Sequence, residues 1–99
     1  MIVVSGTVAI RPDKREEAVA AAVTMANATA AEKGCLTYRF YADIEDPHLF
    51  RIFEEWETEE ALQAHFQTPH MAVFNQTLPQ LVAGPADIKM YVVAQVSSM

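Results

Sequence analysis

CLTYRFYADIEDPHLFRIFEEWE, residues 35 to 57, reads as two aromatic-rich strands, Cys35 to Asp43 and Leu49 to Glu57, joined by the hairpin loop Ile44-Glu45-Asp46-Pro47-His48. On either side of this hairpin the pattern turns helical. Upstream, Val19, Ala22, Val23, Ala26 and Ala30 recur at helical spacing, and Asp13 followed three residues later by Glu16 predicts a capping box. Gly34 supplies the left-handed stop that such a helix needs. Downstream, a helical region opens at Thr58, with Glu59 and Glu60 favourably placed against its dipole. Thr68-Pro69 restarts it, threonine as cap and proline in the first turn. Pro79 should bend or shorten the last part, and Gly84-Pro85 closes it. Outermost come Ile2 to Ile10, rich in valine and isoleucine and stopped by Arg11-Pro12, and a last strand from Asp87 to Gln95. The order is βαββαβ. In 99 residues it predicts one domain over 1–99, an α+β ferredoxin-like sandwich with both helical regions on one face of a single sheet.

Alternate strand residues point to opposite sides, so parity sorts the two faces. Even positions are almost wholly apolar: Val4, Gly6, Val8 and Ile10, then Leu36, Tyr38 and Phe40, then Phe50, Ile52 and Trp56, then Ile88, Met90, Val92 and Ala94. They are assigned to the helices. Odd positions mix Val3, Phe53, Tyr41, Tyr91 and Val93 with Ser5, Thr7, Thr37, Arg39, Arg51, Glu55 and Lys89. Such a face is too apolar to leave bare and polar enough for a partner interface. A homodimer packed through this open sheet face is the economical expectation, since small domains gain most from extra burial. The alternative is a monomer with a half-solvated antiparallel sheet.

Composition excludes several functions. The formal charge of −6, thirteen acids against seven basic residues, leaves no basic footprint for nucleic acid. MIVVSGTVAI is too short and too alternating for a signal peptide or a membrane span, which makes the cytosol the expected compartment. Cys35, the single cysteine, can form neither an internal disulfide nor a zinc site, and is expected to be a small buried hydrophobe.

The chemistry-bearing residues concentrate in EEWETEEALQAHFQTPH, residues 54 to 70. Glu54 is the one ionisable residue among the helix-facing strand positions, where it must pair, hydrogen-bond or hold a proton. It is read either as a functional acid or as a structural partner of a helix start. His65 can face the sheet, and the Thr68-Pro69 step brings His70 towards the same cavity mouth. An imidazole suits proton transfer near neutral pH, whereas these two, five residues apart and without an evident third ligand, lack the i, i+4 spacing of a helical metal site. No metal is expected. Tyr38, Phe40, Trp56, Phe66 and Phe74, with Phe50 and Met71, would line an apolar cavity for a planar aromatic ligand, or equally make an ordinary core. The alanine face of the first helix, Ala22, Ala26 and Ala30, fills little space and favours a pocket.

Three stretches together, Glu32-Lys33-Gly34-Cys35-Leu36-x-Tyr38, Phe50-x-Ile52-x-Glu54-x-Trp56 and Glu60-Ala61-Leu62-x-x-His65-x-x-x-Pro69-His70, resemble the antibiotic biosynthesis monooxygenase domain family. The likeness runs from Gly6 to the last strand and implies a dimeric α+β barrel. HFQTPHM is most similar to the small bacterial quinol monooxygenases. Haem-degrading relatives use an asparagine on the first strand, absent here, and a tryptophan on the second helical region, whereas Trp56 lies on a strand. The polyketide-oxidising branch is answered by Ile52 and Leu62 where it would carry asparagine and tyrosine. The resemblance therefore implies a cofactor-independent oxidation of a quinol or other phenolic aromatic by dioxygen: His65 or His70 as base, Glu54 as orienting or proton-accepting group, Trp56 and Tyr38 as stacking wall. A phenol near pKa 10 facing a histidine near 6.5 leaves roughly 5 kcal/mol for oriented donors and an apolar site to offset. Two other classes stay open. An isomerase of a small phosphorylated carbonyl compound would want a cationic anchor, and Arg39, Arg51 and Lys89 are expected on the opposite face; a non-catalytic barrel would bind a hydrophobic metabolite without turnover.

Overall fold

The computed structural model describes Met1–Met99. Its elements are β1 (Ile2–Ala9), α1 (Arg15–Ala30), β2 (Cys35–Ala42), β3 (Leu49–Trp56), α2 (Glu59–His65), α3 (Pro69–Thr77) and β4 (Asp87–Val92), with 3₁₀ turns at Pro12–Lys14 and Leu78–Gln80. The four strands form one antiparallel sheet in the order β2-β3-β1-β4, the ferredoxin-like arrangement expected of βαββαβ.

Parity holds in the middle of the sheet. Ile2, Val4, Tyr38, Ile52 and Trp56 are all buried on the helical side, where they meet Met25 of α1 and Leu62 of α2, and Phe50 is buried in a second cluster with Ile10, Ala18 and Leu81. It fails at both edges. A bulge between Cys35 and Thr37 inserts one residue, so Cys35 packs on the core while Leu36 stands 51% exposed, contrary to its even number. On β4 the even residues Ile88, Met90 and Val92 are exposed, because α1, α2 and α3 lie over the other strands and none covers this edge. β4 also ends at Val92, before Ala94 and Gln95. On the odd face, polar side chains pair across strands: Thr37 donates to Glu55 at 2.6 Å, and Arg51 donates to Ser5 at 2.9 Å.

The helix ends follow local chemistry. The expected capping box at Asp13 does not form: the Arg11 guanidinium holds the Asp13 carboxylate at 2.9 Å, and α1 starts only at Arg15. Thr58 caps α2 by accepting from the Ala61 amide, and Thr68 caps α3 by accepting from Met71. Asp43 ties the hairpin loop by accepting from the amides of Glu45 and Asp46. α1 ends at Ala30, and Gly34, at φ +83°, completes the turn into β2. A side chain there would strike the Ala61 methyl at 2.6 Å, so glycine is required by backbone and by packing.

Candidate active site

His65 closes α2 and His70 stands in the first turn of α3, so the short Phe66–Thr68 connection fixes their separation. Thr68 clamps that connection: its hydroxyl donates to the His65 carbonyl at 2.8 Å and accepts from the Met71 amide at 3.3 Å. Both imidazoles then reach one oxygen of a residue that the sequence reading left without a role. Glu32 Oε2 lies 2.8 Å from His65 Nδ1 and 2.6 Å from His70 Nε2. Glu32 sits in the turn between α1 and Gly34, its side chain only 15% exposed. An ionised carboxylate can only accept, so this geometry puts the proton of His65 on Nδ1 and that of His70 on Nε2.

The imidazole of His65 is 1% exposed and packs between Trp56, with ring centroids 5.0 Å apart, and Tyr38, at 5.4 Å. Beneath it, Trp56 Nε1 donates to Glu54 Oε1 at 2.9 Å. Glu54 therefore serves the tryptophan, and the carboxylate that orients the histidines is Glu32. Burial pushes the Glu54 carboxyl up from 4.5 to about 7, the Trp56 hydrogen bond opposes this, and the charge of Glu32 adds to it. The Tyr38 phenol is pushed upward too, by burial first and then by Glu54 and Glu32. Burial first, then the charges of Glu32 and Glu54, also raise the Cys35 thiol, which favours its protonated form.

An open groove of about 450 Å³ lies beside this cluster, between α1 and β2. The alanine face opens it as expected: Ala22, Ala26 and Ala30 form one wall, Tyr38 and Phe40 the other. Trp56, Phe66, Phe74 and the histidines do not line it. Trp56 is wholly buried core, Phe66 is half exposed, and Phe74 stacks behind Phe40 with centroids 6.0 Å apart. Tyr38 joins the two regions, since its ring forms groove wall and packs against His65. Arg15 and Arg39 also line the groove, so cationic groups reach it although Arg39 has odd parity and Arg15 lies on α1. Arg15 is held there by donating to the Pro47 carbonyl at 2.8 Å.

Glu32 was missed because it lies 33 and 38 residues from its partners, beyond any local spacing rule. The one signal in the chain is its place two residues before a left-handed glycine, within the Glu32-Lys33-Gly34 motif.

The fold defines a small α+β domain of ferredoxin-like type, with a glutamate and two histidines gathered at one end of its helical layer. Residues 1–77 match the family model of antibiotic biosynthesis monooxygenases, and the chain belongs to that family. It is 40% identical over 98 residues to an uncharacterised protein of Synechocystis, spanning 99% of this chain and 67% of that protein. It is 28% identical over 88 residues to YcnE of Bacillus subtilis, provisionally named a monooxygenase, covering 89% of this chain and 93% of YcnE. Among solved structures, an antibiotic biosynthesis monooxygenase, so named provisionally, from Deinococcus radiodurans superposes with a TM-score of 0.93 at 26% identity, covering 100% of this chain and 98% of the other. Rv0793 from Mycobacterium tuberculosis superposes at 0.90 with 25% identity and 98% of each chain covered. These likenesses support a monooxygenase-type function in general. No helix is long and apolar enough to cross a membrane.

Proposed function

We propose that this protein is a monooxygenase that oxidises a quinol or related phenolic aromatic with dioxygen, binding the ring in the α1–β2 groove and managing its proton through Glu32, His65 and His70. The observation that carries the reading is the single Glu32 oxygen shared by two imidazoles, one of which packs against the Tyr38 ring that also forms the wall of an apolar groove. With its Nε2–H held by Glu32, His70 keeps a lone pair on Nδ1, and its side chain is 25% exposed; it is the proposed base. His65 is too enclosed to exchange protons with substrate and serves to orient the cluster. Because the histidines stand outside the groove lining, the phenolic proton reaches His70 by relay through an intervening water, and Glu32 stabilises the imidazolium so formed. Glu54 and Trp56 act behind the histidines, packing His65 in place.

The balance closes without an external reductant. A quinol and one dioxygen give a hydroxyquinone and one water: one oxygen atom enters the ring, the other leaves as water, and all four electrons come from the substrate. Turnover is tested by oxygen uptake and product mass over a quinol panel, with protein stripped of metal and flavin. Uptake that falls by about 10²-fold or more in His70→Ala supports the base assignment. Unchanged uptake in the His65→Ala/His70→Ala double variant refutes it.

The reading includes a homodimer through the open sheet face, where Tyr41 and Tyr91 are each about half exposed beside the partly buried Val3 and Phe53. Sedimentation equilibrium tests it, and a monomer at micromolar concentration would remove it. A second reading, an isomerase of a phosphorylated carbonyl compound, is favoured by Arg15 and Arg39 on the groove wall, which could anchor an anion. Turnover of such a compound under strictly anaerobic conditions would select it over the oxygenase.

A further inference from the structure

Two imidazole nitrogens and a carboxylate oxygen, from Glu32, His65 and His70, lie within 4.8 Å of one another. We propose that they bind one divalent transition-metal ion, through Glu32 Oε2, His65 Nδ1 and His70 Nε2, with at least one coordination position left for water or a small ligand. A four-coordinate zinc or cobalt ion makes bonds of about 2.0–2.1 Å, which sets neighbouring donors roughly 3.3 Å apart. Glu32 Oε2 now stands 2.8 and 2.6 Å from the two nitrogens, so each contact opens by well under an ångström to admit the ion. Glu32 lies in a turn and His70 is partly exposed, which gives two of the three ligands room to adjust.

The third is fixed. Trp56 and Tyr38 hold the His65 ring, and Thr68 ties the backbone between the histidines, so little ordering is left for the metal to impose. Two nitrogens and one oxygen make an intermediate donor set, which suits zinc, iron(II), cobalt or nickel; magnesium and calcium prefer all-oxygen shells, and copper(I) prefers sulfur. The ion would convert a carboxylate with two neutral imidazoles from a net −1 to +1, within a chain whose formal charge is −6.

This inference stands apart from the oxygenase reading: it is read by metal binding, the other by oxygen uptake, and the two can fail separately. They also compete, because a metal takes up the ring nitrogens that Glu32 now holds. The test uses untagged protein freed of metal by chelation. Cobalt(II) is titrated and followed by visible absorption, zinc(II) is followed through the imidazole ¹⁵N resonances of the wild type, and magnesium serves as control. Expected are one cobalt per chain, zinc-dependent shifts at His65 and His70 with His48 unmoved, no response to magnesium, and at least tenfold weaker cobalt binding in Glu32→Gln. The proposal is overturned by zinc shifts confined to His48 or absent, by an equal response to magnesium, or by Glu32→Gln binding cobalt as tightly as the wild type.

Discussion

Replacing Glu54 by glutamine should remove a pH dependence of stability that the wild type carries. The carboxyl is 7% exposed and its value rises from 4.5 to about 7 on folding, chiefly through burial. A raised carboxyl binds its proton more tightly in the native state, so its contribution is fully present below 4.5 and is lost as pH climbs through about 7. The rise from 4.5 to about 7, at about 1.4 kcal/mol for each tenfold change in proton affinity, bounds the whole effect at roughly 3–4 kcal/mol. Between pH 5 and pH 8 the linkage relation leaves roughly 2–3 kcal/mol of it. Glutamine keeps an oxygen for the Trp56 indole, which donates at 2.9 Å, and cannot ionise. Urea unfolding of both proteins at pH 5 and pH 8, at one protein concentration, isolates the site, because every other titrating group is common to the pair. The wild type should lose roughly 2–3 kcal/mol relative to Glu54→Gln as pH rises. If the difference between the two proteins is the same at both pH values, Glu54 is not a desolvated acid and the description of its surroundings is wrong.

Trp56→Phe deletes the donor that holds Glu54, so the carboxyl should titrate higher than about 7, seen by ¹³C NMR, at a stability loss of roughly 1–3 kcal/mol for the orphaned group. Val23→Trp places a large side chain at a half-exposed position of the groove wall, and should lower kcat/KM for a quinol about tenfold or more while stability stays within about 0.5 kcal/mol. Gly34→Ala meets a φ of +83° and the Ala61 methyl at 2.6 Å together, and should lower Tm by at least about 4 °C in a thermal scan. An unchanged Tm would mean that the turn relaxes freely.

Alternation made most of the fold legible, because the central strands β1 and β3 have one face under helices, and burial there follows side-chain parity residue by residue. It misled where geometry adds or withholds something that alternation cannot encode. The inserted residue of the bulge reverses Leu36. β4 carries the same apolar spacing as its neighbours but no helix lies over it, so Ile88, Met90 and Val92 remain exposed. The Asp13 cap was lost to a competitor two residues away, the Arg11 guanidinium. At the site, the histidines and Glu54 were found because polar residues on an apolar face are conspicuous; Glu32 was not, because a glutamate in a polar turn looks like any solvated residue. The aromatic residues could not be sorted into wall and core from sequence, since Trp56 and Tyr38 are both large aromatic side chains of the same strand parity, and only the packing around them makes one core and the other groove wall.

The turn after α1 is where fold and chemistry become one constraint. Glu32 can meet His65 only if α2 lies close against this turn, and Gly34 permits that approach by presenting no side chain to Ala61. The Gly34 carbonyl then accepts from the Glu57 amide at 2.8 Å, joining the turn to the strand end that leads into α2. Thr58 caps that helix, and its last residue is His65. The distance from carboxylate to imidazole is thus set by a glycine, a backbone hydrogen bond and one helix length, none of which touches the reacting atoms. A site so assembled holds its geometry through backbone packing, which explains how two imidazoles from separate helices converge on a single Glu32 oxygen in so small a chain.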